Sequence, residues 1–144
     1  MANFAQGVYQ PKNPQKYVGK HKPRYRSGWE LTFMIFCDTN KNIINWASEA
    51  ISIPYRNPIT GKSTVYIPDF FVLYEDKLGS KKAEIVEIKP KKQSLIESKA
   101  ASLKDKMTVA VNHAKWQAAM AYCKKAGLTF RVITEDDIFY KGKR

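Results

Sequence analysis

Tyr66-Ile67-Pro68-Asp69, followed 18 positions after the aspartate by Glu87-Ile88-Lys89, is the part of this chain equipped for chemistry. An aspartate and a Glu-x-Lys triplet are the minimum set for hydrolysing a phosphodiester with a hard divalent cation. Asp69 and Glu87 can hold Mg²⁺ or Mn²⁺ through oxygen, and Lys89 can polarise the scissile phosphate or the attacking water.

The spacing predicts that the three groups converge. Residues 64–74 and 83–89 are rich in Val, Ile, Phe and Tyr and are expected to be strands, separated by the turn-forming Asp76-Lys77-Leu78-Gly79-Ser80. A hairpin closed through Tyr74 and Lys82 sets Asp69 opposite Glu87. Alternation along a strand then puts Glu87 and Lys89 on one face, with Val86 and Ile88 on the other. Asp69 is flanked by Tyr66, Ile67, Phe70 and Phe71, and Glu87 by Val86 and Ile88, surroundings in which an idle charge is costly to bury. The competing reading of Asp69 is a strand-end aspartate capping a kink after Pro68. For Lys89 it is a solvated lysine heading the basic run Lys89-Pro90-Lys91-Lys92.

The remaining elements must support that hairpin. Ser27 is expected to start a helix running to about Asp38, and residues 43–53 a first strand ended by Pro54. A turn around Asn57-Pro58-Ile59-Thr60-Gly61 leads into the Asp69 strand. Residues 92–106 are polar with a weak helical period. A second helix is predicted from about Val109 to Lys125, with Trp116, Met120 and Cys123 inward and Gly127 just past its end. Leu128–Ile133 forms a last strand, and Thr134-Glu135-Asp136-Asp137 opens a short terminal helix. The order α-β-β-β-α-β predicts an α/β (α+β) domain: an antiparallel meander, a helical crossover to a fourth strand, and a mixed four-stranded sheet flanked by helices.

The 144 residues suffice for one domain burying roughly two-thirds of its unfolded surface. No apolar run approaches the roughly 18 residues of a membrane span, and no apolar stretch of a secretory leader opens the chain. No membrane role is expected, therefore, and the protein should work where it is made. Cys37 and Cys123 are expected to be buried free thiols, since two cysteines and two histidines do not easily make a zinc site.

The net charge of +12 implies a polyanionic partner, most often nucleic acid and, on the nuclease reading, double-stranded DNA, bound by displacing counterions. Its distribution supports this over a merely solubilising charge. Residues 1–29 carry Lys12, Lys16, Lys20, Lys22, Arg24 and Arg26 and no acid, and Lys141, Lys143 and Arg144 form a basic tail. Residues 1–26, rich in Pro, Gly, Lys and Tyr, are expected to be a basic extended arm ahead of a domain spanning 27–144. Tyr9, Tyr17 and Tyr25 alternate with basic residues there. Stacking on DNA and packing on the domain are both open to them.

With Pro68-Asp69 and Glu87-x-Lys89 at its centre, residues 27–134 resemble the PD-(D/E)xK nuclease superfamily, of restriction-endonuclease-like fold. A fuller resemblance runs through Pro11-Lys12-Asn13-Pro14, Lys16-Tyr17-x-Gly19, Arg26-Ser27-x-Trp29-Glu30, Trp46-Ala47-Ser48-Glu49 and Ile53-Pro54-Tyr55. On these stretches the chain is similar to the head completion nucleases of T-even-like tailed phages. The resemblance implies a Mg²⁺- or Mn²⁺-dependent DNA nuclease acting on the packaged DNA end, with portal or head–neck proteins as partners. It implies work in the host cytoplasm during assembly or in the virion neck, and no nucleotide cofactor. It also implies a metal held by Asp69, Glu87, Glu30 and the Ile88 carbonyl, with Lys89 positioning or deprotonating the attacking water.

Glu30 has a rival role, since Ser27-Gly28-Trp29-Glu30 is also a capping box in which Glu30 folds back onto the Ser27 N–H. Glu49 is either an extra acid at the site or a half-exposed strand glutamate. Lys115 is a candidate phosphate contact, beside a Trp116 that belongs to the core. His113 is a weak candidate base. Lys91 and Lys92 join the arm as candidate DNA contacts. Two rival functions remain: a DNA-end plug that keeps the fold without cutting, and a transposon- or resolvase-type nuclease of the same fold.

Overall fold

The computed structural model describes residues 6–90 and 102–137. Two short strands, β1 (Gly7–Val8) and β2 (Arg24–Tyr25), bracket a 3-10 turn at Pro14–Lys16 and precede helix α1 (Gly28–Thr39). Strands β3 (Ile43–Ser48), β4 (Ile53–Arg56), β5 (Ser63–Tyr66), β6 (Phe70–Glu75) and β7 (Lys81–Ile88) follow, then α2 (Leu103–Ala126) and β8 (Thr129–Ile133).

The main sheet has the order β3-β6-β7-β8, its first two pairings antiparallel and β7-β8 parallel. This is the expected mixed sheet, with α2 as the crossover that a parallel pair requires. The β6-β7 register pairs Tyr74 with Lys82, as the turn chemistry predicts. In that turn Asp76 Oδ1 accepts the N–H groups of Leu78 and Ser80, both at 2.9 Å.

Strand alternation sorts the core into two layers. Phe70, Val72, Val86, Ile88 and Ile133 face α1, where they meet Phe33, Met34 and Cys37. On the other side Trp116 and Ala119 of α2 pack with Ile53 and Tyr66, flanked by Phe130 and Val132. Both cysteines are buried and free.

Several sequence expectations change. The expected strand over 64–74 is two strands broken at Ile67-Pro68-Asp69, because Pro68 has no N–H to continue a ladder. The expected strand over 43–53 stops at Ser48. Glu49 adopts a left-handed φ of 49°, turning the chain out of the sheet, and Pro54 sits inside β4 rather than ending a strand. β4 and β5 pair as a separate ribbon against α2.

α2 starts six residues before the expected Val109. Ser102 and Asp105 form a capping box, and Gly127 closes the helix at φ 75°. Met120, expected inward, is 53% exposed; Ala119 takes the buried position. The polar stretch 92–106, read as having a weak helical period, falls largely outside the described residues, as do Lys91, Lys92 and the basic tail; its last four residues belong to α2. Of the terminal helix, residues 135–137 are helical.

Residues 6–26 lie on the domain, so packing is the role the tyrosines take. Tyr9, Tyr17 and Tyr25 pack against the α1-side core, and Tyr17 meets Trp46 edge-on at 4.7 Å. Val18 N–H donates to the Trp46 carbonyl at 2.9 Å, covering the β3 edge.

The anchor is Asp38, fully buried at the end of α1. Its carboxylate accepts from the Tyr9 hydroxyl (2.5 Å), Lys12 N–H (2.7 Å) and Asn13 N–H (3.0 Å). Its carbonyl accepts from Asn13 Nδ2 (2.9 Å) and Lys16 Nζ (3.0 Å). Desolvation works to raise the Asp38 pKa, but these hydrogen bonds outweigh it and hold the carboxyl below its ordinary value.

Candidate active site

The break between β5 and β6 builds the site. Extending the β6-β7 register by two residues places buried Pro68 opposite Ile88, and by one residue Asp69 opposite Glu87. Ile88 N–H, which would otherwise face a proline, donates instead to Asp69 Oδ2 at 2.8 Å. In an antiparallel pair the N–H and C=O of one residue point to the same neighbour. The Ile88 carbonyl therefore also faces Pro68, which has no N–H to offer it.

Glu87 is 4% exposed and fully engaged. Its Oε1 accepts from the Tyr66 hydroxyl at 2.8 Å and from Asp69 N–H at 3.3 Å. Its Oε2 lies 3.4 Å from Lys89 Nζ. The predicted shared face of Glu87 and Lys89 is thus present. Tyr66, which sequence reasoning treated only as part of the strand, is the residue that orients Glu87. Burial, with the Glu87 charge beside it, pushes the Tyr66 pKa far up, so the phenol stays a donor. The visible signal was its place at the head of the Tyr-Ile-Pro-Asp string.

The electrostatics are those of crowded acids. Desolvation first, then the charges of Glu87 and Glu30, raise the Asp69 pKa well above the usual carboxylate range. The Ile88 N–H and Lys89 oppose this only in part. Glu30 is also raised, mainly by desolvation and further by Glu87. Its side chain does cap α1, but one residue earlier than expected: Oε1 accepts Arg26 N–H at 3.2 Å, while Ser27 Oγ accepts Glu30 N–H at 3.2 Å. Glu30 thus serves the helix end while its charge is felt at Asp69.

Glu49 is exposed at the rim, its carboxylate 3.3 Å from Arg26 Nη2. Its backbone matters more, because Glu49 N–H donates to the Asp69 carbonyl at 2.9 Å and ties the left-handed bend to the kink. Lys115 reaches toward the centre from α2, with Nζ 5.7 Å from the Tyr66 ring centroid and 6.0 Å from that of Tyr55. Desolvation first, and then Lys89, lower its pKa, against the pull of Glu87 and Asp69. His113 lies on the exposed side of α2, its ring 5.7 Å from that of Trp116.

Among the described residues, no three His, Cys, Asp or Glu side chains gather closely enough to enclose a metal unaided. Mg²⁺ does not need such a cage. It keeps several waters and is commonly bound by one or two carboxylates plus substrate phosphate. Asp69, Glu87 and the Ile88 carbonyl fit that donor set, and the mutual repulsion of the buried acids is what a divalent cation would relieve.

Of the arm's cations, Lys12, Lys20, Lys22, Arg24 and Arg26 are exposed. Lys16 is not available in the same way: its ammonium donates to the Asp38 and Asn40 carbonyls at 3.0 and 2.8 Å.

Residues 40–135 match the family model described as the TnsA-like endonuclease N-terminal domain. That span takes in Asp69, Glu87, Lys89 and Lys115 and leaves Glu30 and the arm outside. A second similarity extends beyond that span: the chain is 37% identical to the head completion nuclease of Enterobacteria phage T4, over 92% of each protein. With most of its length matched by that model, and the Asp69–Glu87–Lys89 cluster inside the match, the chain belongs to the TnsA-like endonuclease family, with its restriction-endonuclease-like fold.

Proposed function

We propose that this protein is a metal-dependent DNA endonuclease that trims packaged double-stranded DNA during phage head completion, before the tail joins. The observation that carries the reading is the pairing of Asp69 with Glu87 across the Pro68 break, with Lys89 Nζ 3.4 Å from Glu87. A DNA-end plug has no use for acids packed at the cost of mutual repulsion. The phage T4 relative, by its name, supports the place in assembly.

Asp69, Glu87 and the Ile88 carbonyl would hold Mg²⁺ or Mn²⁺, with Glu30 adding negative charge nearby. When bound, such an ion lowers the pKa of a coordinated water and neutralises phosphate charge. Tyr66 fixes the Glu87 carboxylate so that Oε2 faces Lys89. Lys89 orients or deprotonates the attacking water and offsets charge building on the phosphorus oxygens. Lys12, Lys20, Lys22, Arg24 and Arg26, with Lys91 and Lys92, grip the duplex. Portal or neck proteins would present the DNA end, in the infected host's cytoplasm or at the virion neck.

Plasmid and linear-duplex cleavage in Mg²⁺, Mn²⁺ or EDTA, for the native chain and Asp69→Ala, tests this. Metal-dependent cutting absent from the variant is expected. Salt-sensitive binding with no cutting in any metal would instead favour the plug.

A further inference from the structure

A groove of about 600 Å³ runs between the β4–β5 turn and the first half of α2. One of its walls is two-striped. Leu103, Met107 and Val111, spaced by four, give an apolar row; Lys104, Thr108 and Lys115 give a polar row beside it. Ile59, 44% exposed at the ribbon tip, faces them from the other wall. Leu103 is 74% exposed and Met107 36%. From Lys104 to Lys115 the helix axis rises about 16 Å.

The groove is continuous with the catalytic centre through one residue. Lys115 lines it and also lies over Tyr66, whose hydroxyl holds Glu87. Its volume falls in the range of about 300–1,000 Å³ that accepts small-molecule-sized groups. A duplex, whose major groove alone is about 12 Å wide, does not fit inside it. An unpaired strand matches both stripes, because it is anionic along one edge and apolar on the faces of its bases.

We infer that this groove takes an unpaired DNA strand, with phosphates along Lys104, Thr108 and Lys115 and bases against Leu103, Met107, Val111 and Ile59, and feeds it to the Asp69–Glu87 centre. The inference rests on the nuclease reading above and narrows its substrate to frayed, overhanging or flapped ends. Ile59 and Leu103, which both line the groove and are exposed, are of the side-chain types that wedge between stacked bases.

The test is binding in EDTA, which separates it from cleavage. Fluorescein-labelled oligothymidylate and a blunt duplex of equal length are titrated against the native chain, K104A and the double variant L103E/M107E. Both apolar side chains project into solvent, and circular dichroism checks that the variants fold. The double variant should bind oligothymidylate at least about tenfold more weakly than the native chain. K104A should bind it more weakly with a flatter salt slope. A duplex with splayed ends should displace the label from the native chain better than the blunt one. Unchanged oligothymidylate binding in L103E/M107E would overturn the proposal, as would displacement of the label by an acidic leucine-bearing peptide but not by splayed DNA. Failure of the native chain to cut DNA in any metal would count against the nuclease reading alone.

Discussion

Asp69 and Glu87 hold each other in place: Glu87 Oε1 accepts the Asp69 N–H at 3.3 Å, and the Asp69 carboxylate is fixed by the N–H of Ile88, next along from Glu87. Two acids that repel each other are thus kept adjacent by backbone donors. The arrangement has consequences for both catalysis and stability.

Asp69→Asn keeps an acceptor for Ile88 N–H while removing the charge. Cleavage should fall by at least about 10²-fold, the scale of losing one preorganised electrostatic group. DNA binding in EDTA should be retained or strengthened, because a carboxylate facing phosphate is gone. A plasmid-nicking time course alongside a gel-shift titration checks both. An Asn variant that still nicks at the native rate would place the centre elsewhere.

The raised Asp69 pKa gives a pH signature. A group protonated more readily in the folded than in the unfolded chain contributes stability below its unfolded pKa and loses it as pH rises through the higher folded value. In EDTA the native chain should therefore lose Tm as pH rises above about 4, the ordinary carboxylate pKa. Mn²⁺ should restore that loss, whereas Asp69→Asn should lose less Tm over the same range, the share that the raised Glu30 carboxyl contributes, and should regain little of it with Mn²⁺. Differential scanning fluorimetry across pH, with and without Mn²⁺, separates the two chains.

Lys89→Ala removes the cation 3.4 Å from buried Glu87. Activity should drop by about 10²-fold or more, with DNA affinity weakened only slightly because one phosphate-facing charge is gone. Lys89→Arg preserves charge but not the compact ammonium, and should rescue affinity without rescuing turnover. Equal rescue of both in single-turnover kinetics would reduce Lys89 to a simple counter-ion.

Asp38 supports the arm. Asp38→Asn should lower stability by about 2–3 kcal/mol, the scale of hydrogen bonds to a charged group, and Tm by roughly 5–10 °C. Because the folded Asp38 pKa is depressed, its contribution is present above the unfolded carboxylate pKa and disappears as pH falls through the folded value. Acid melts and limited proteolysis within residues 6–26 read this directly. A proteolysis pattern unchanged in the variant would show that the arm docks by other means.

Within the arm, Lys16 should behave unlike its neighbours. Lys16→Ala removes two hydrogen bonds to backbone carbonyls and should lower Tm. Replacing Lys20, Lys22 and Arg24 with Ala should leave Tm unchanged and flatten the slope of log K against log salt, by up to about 0.9 for each phosphate no longer neutralised. If Lys16→Ala alone produced the flattening, the structural assignment of that lysine would be wrong.

Local chemistry determined a good deal by itself. Residues 76–80 fold their own turn, which pins the Tyr74–Lys82 register and so brings Asp69 to Glu87. Ser27 and Gly127 mark helix ends through caps that involve only near neighbours. The Pro68-Asp69 and Glu-x-Lys strings pointed to the Asp69–Glu87 pairing because an acid so flanked by apolar residues needs a partner.

What depended on interactions between distant residues was not legible. Residues 1–26 look like a free basic arm because no periodicity reveals an anchor. The anchor is Asp38, 22 positions from Lys16 and 29 from Tyr9, and its burial is a property of packing. The breaks at Glu49 and Pro68 split strands that composition alone would continue. They form because the Glu49 N–H finds the Asp69 carbonyl, and because Pro68 faces Ile88 across the sheet. Whether Glu30 caps a helix or serves the centre depends on how closely the start of α1 approaches the end of β7, and tertiary packing lets it do the first while its charge reaches the second.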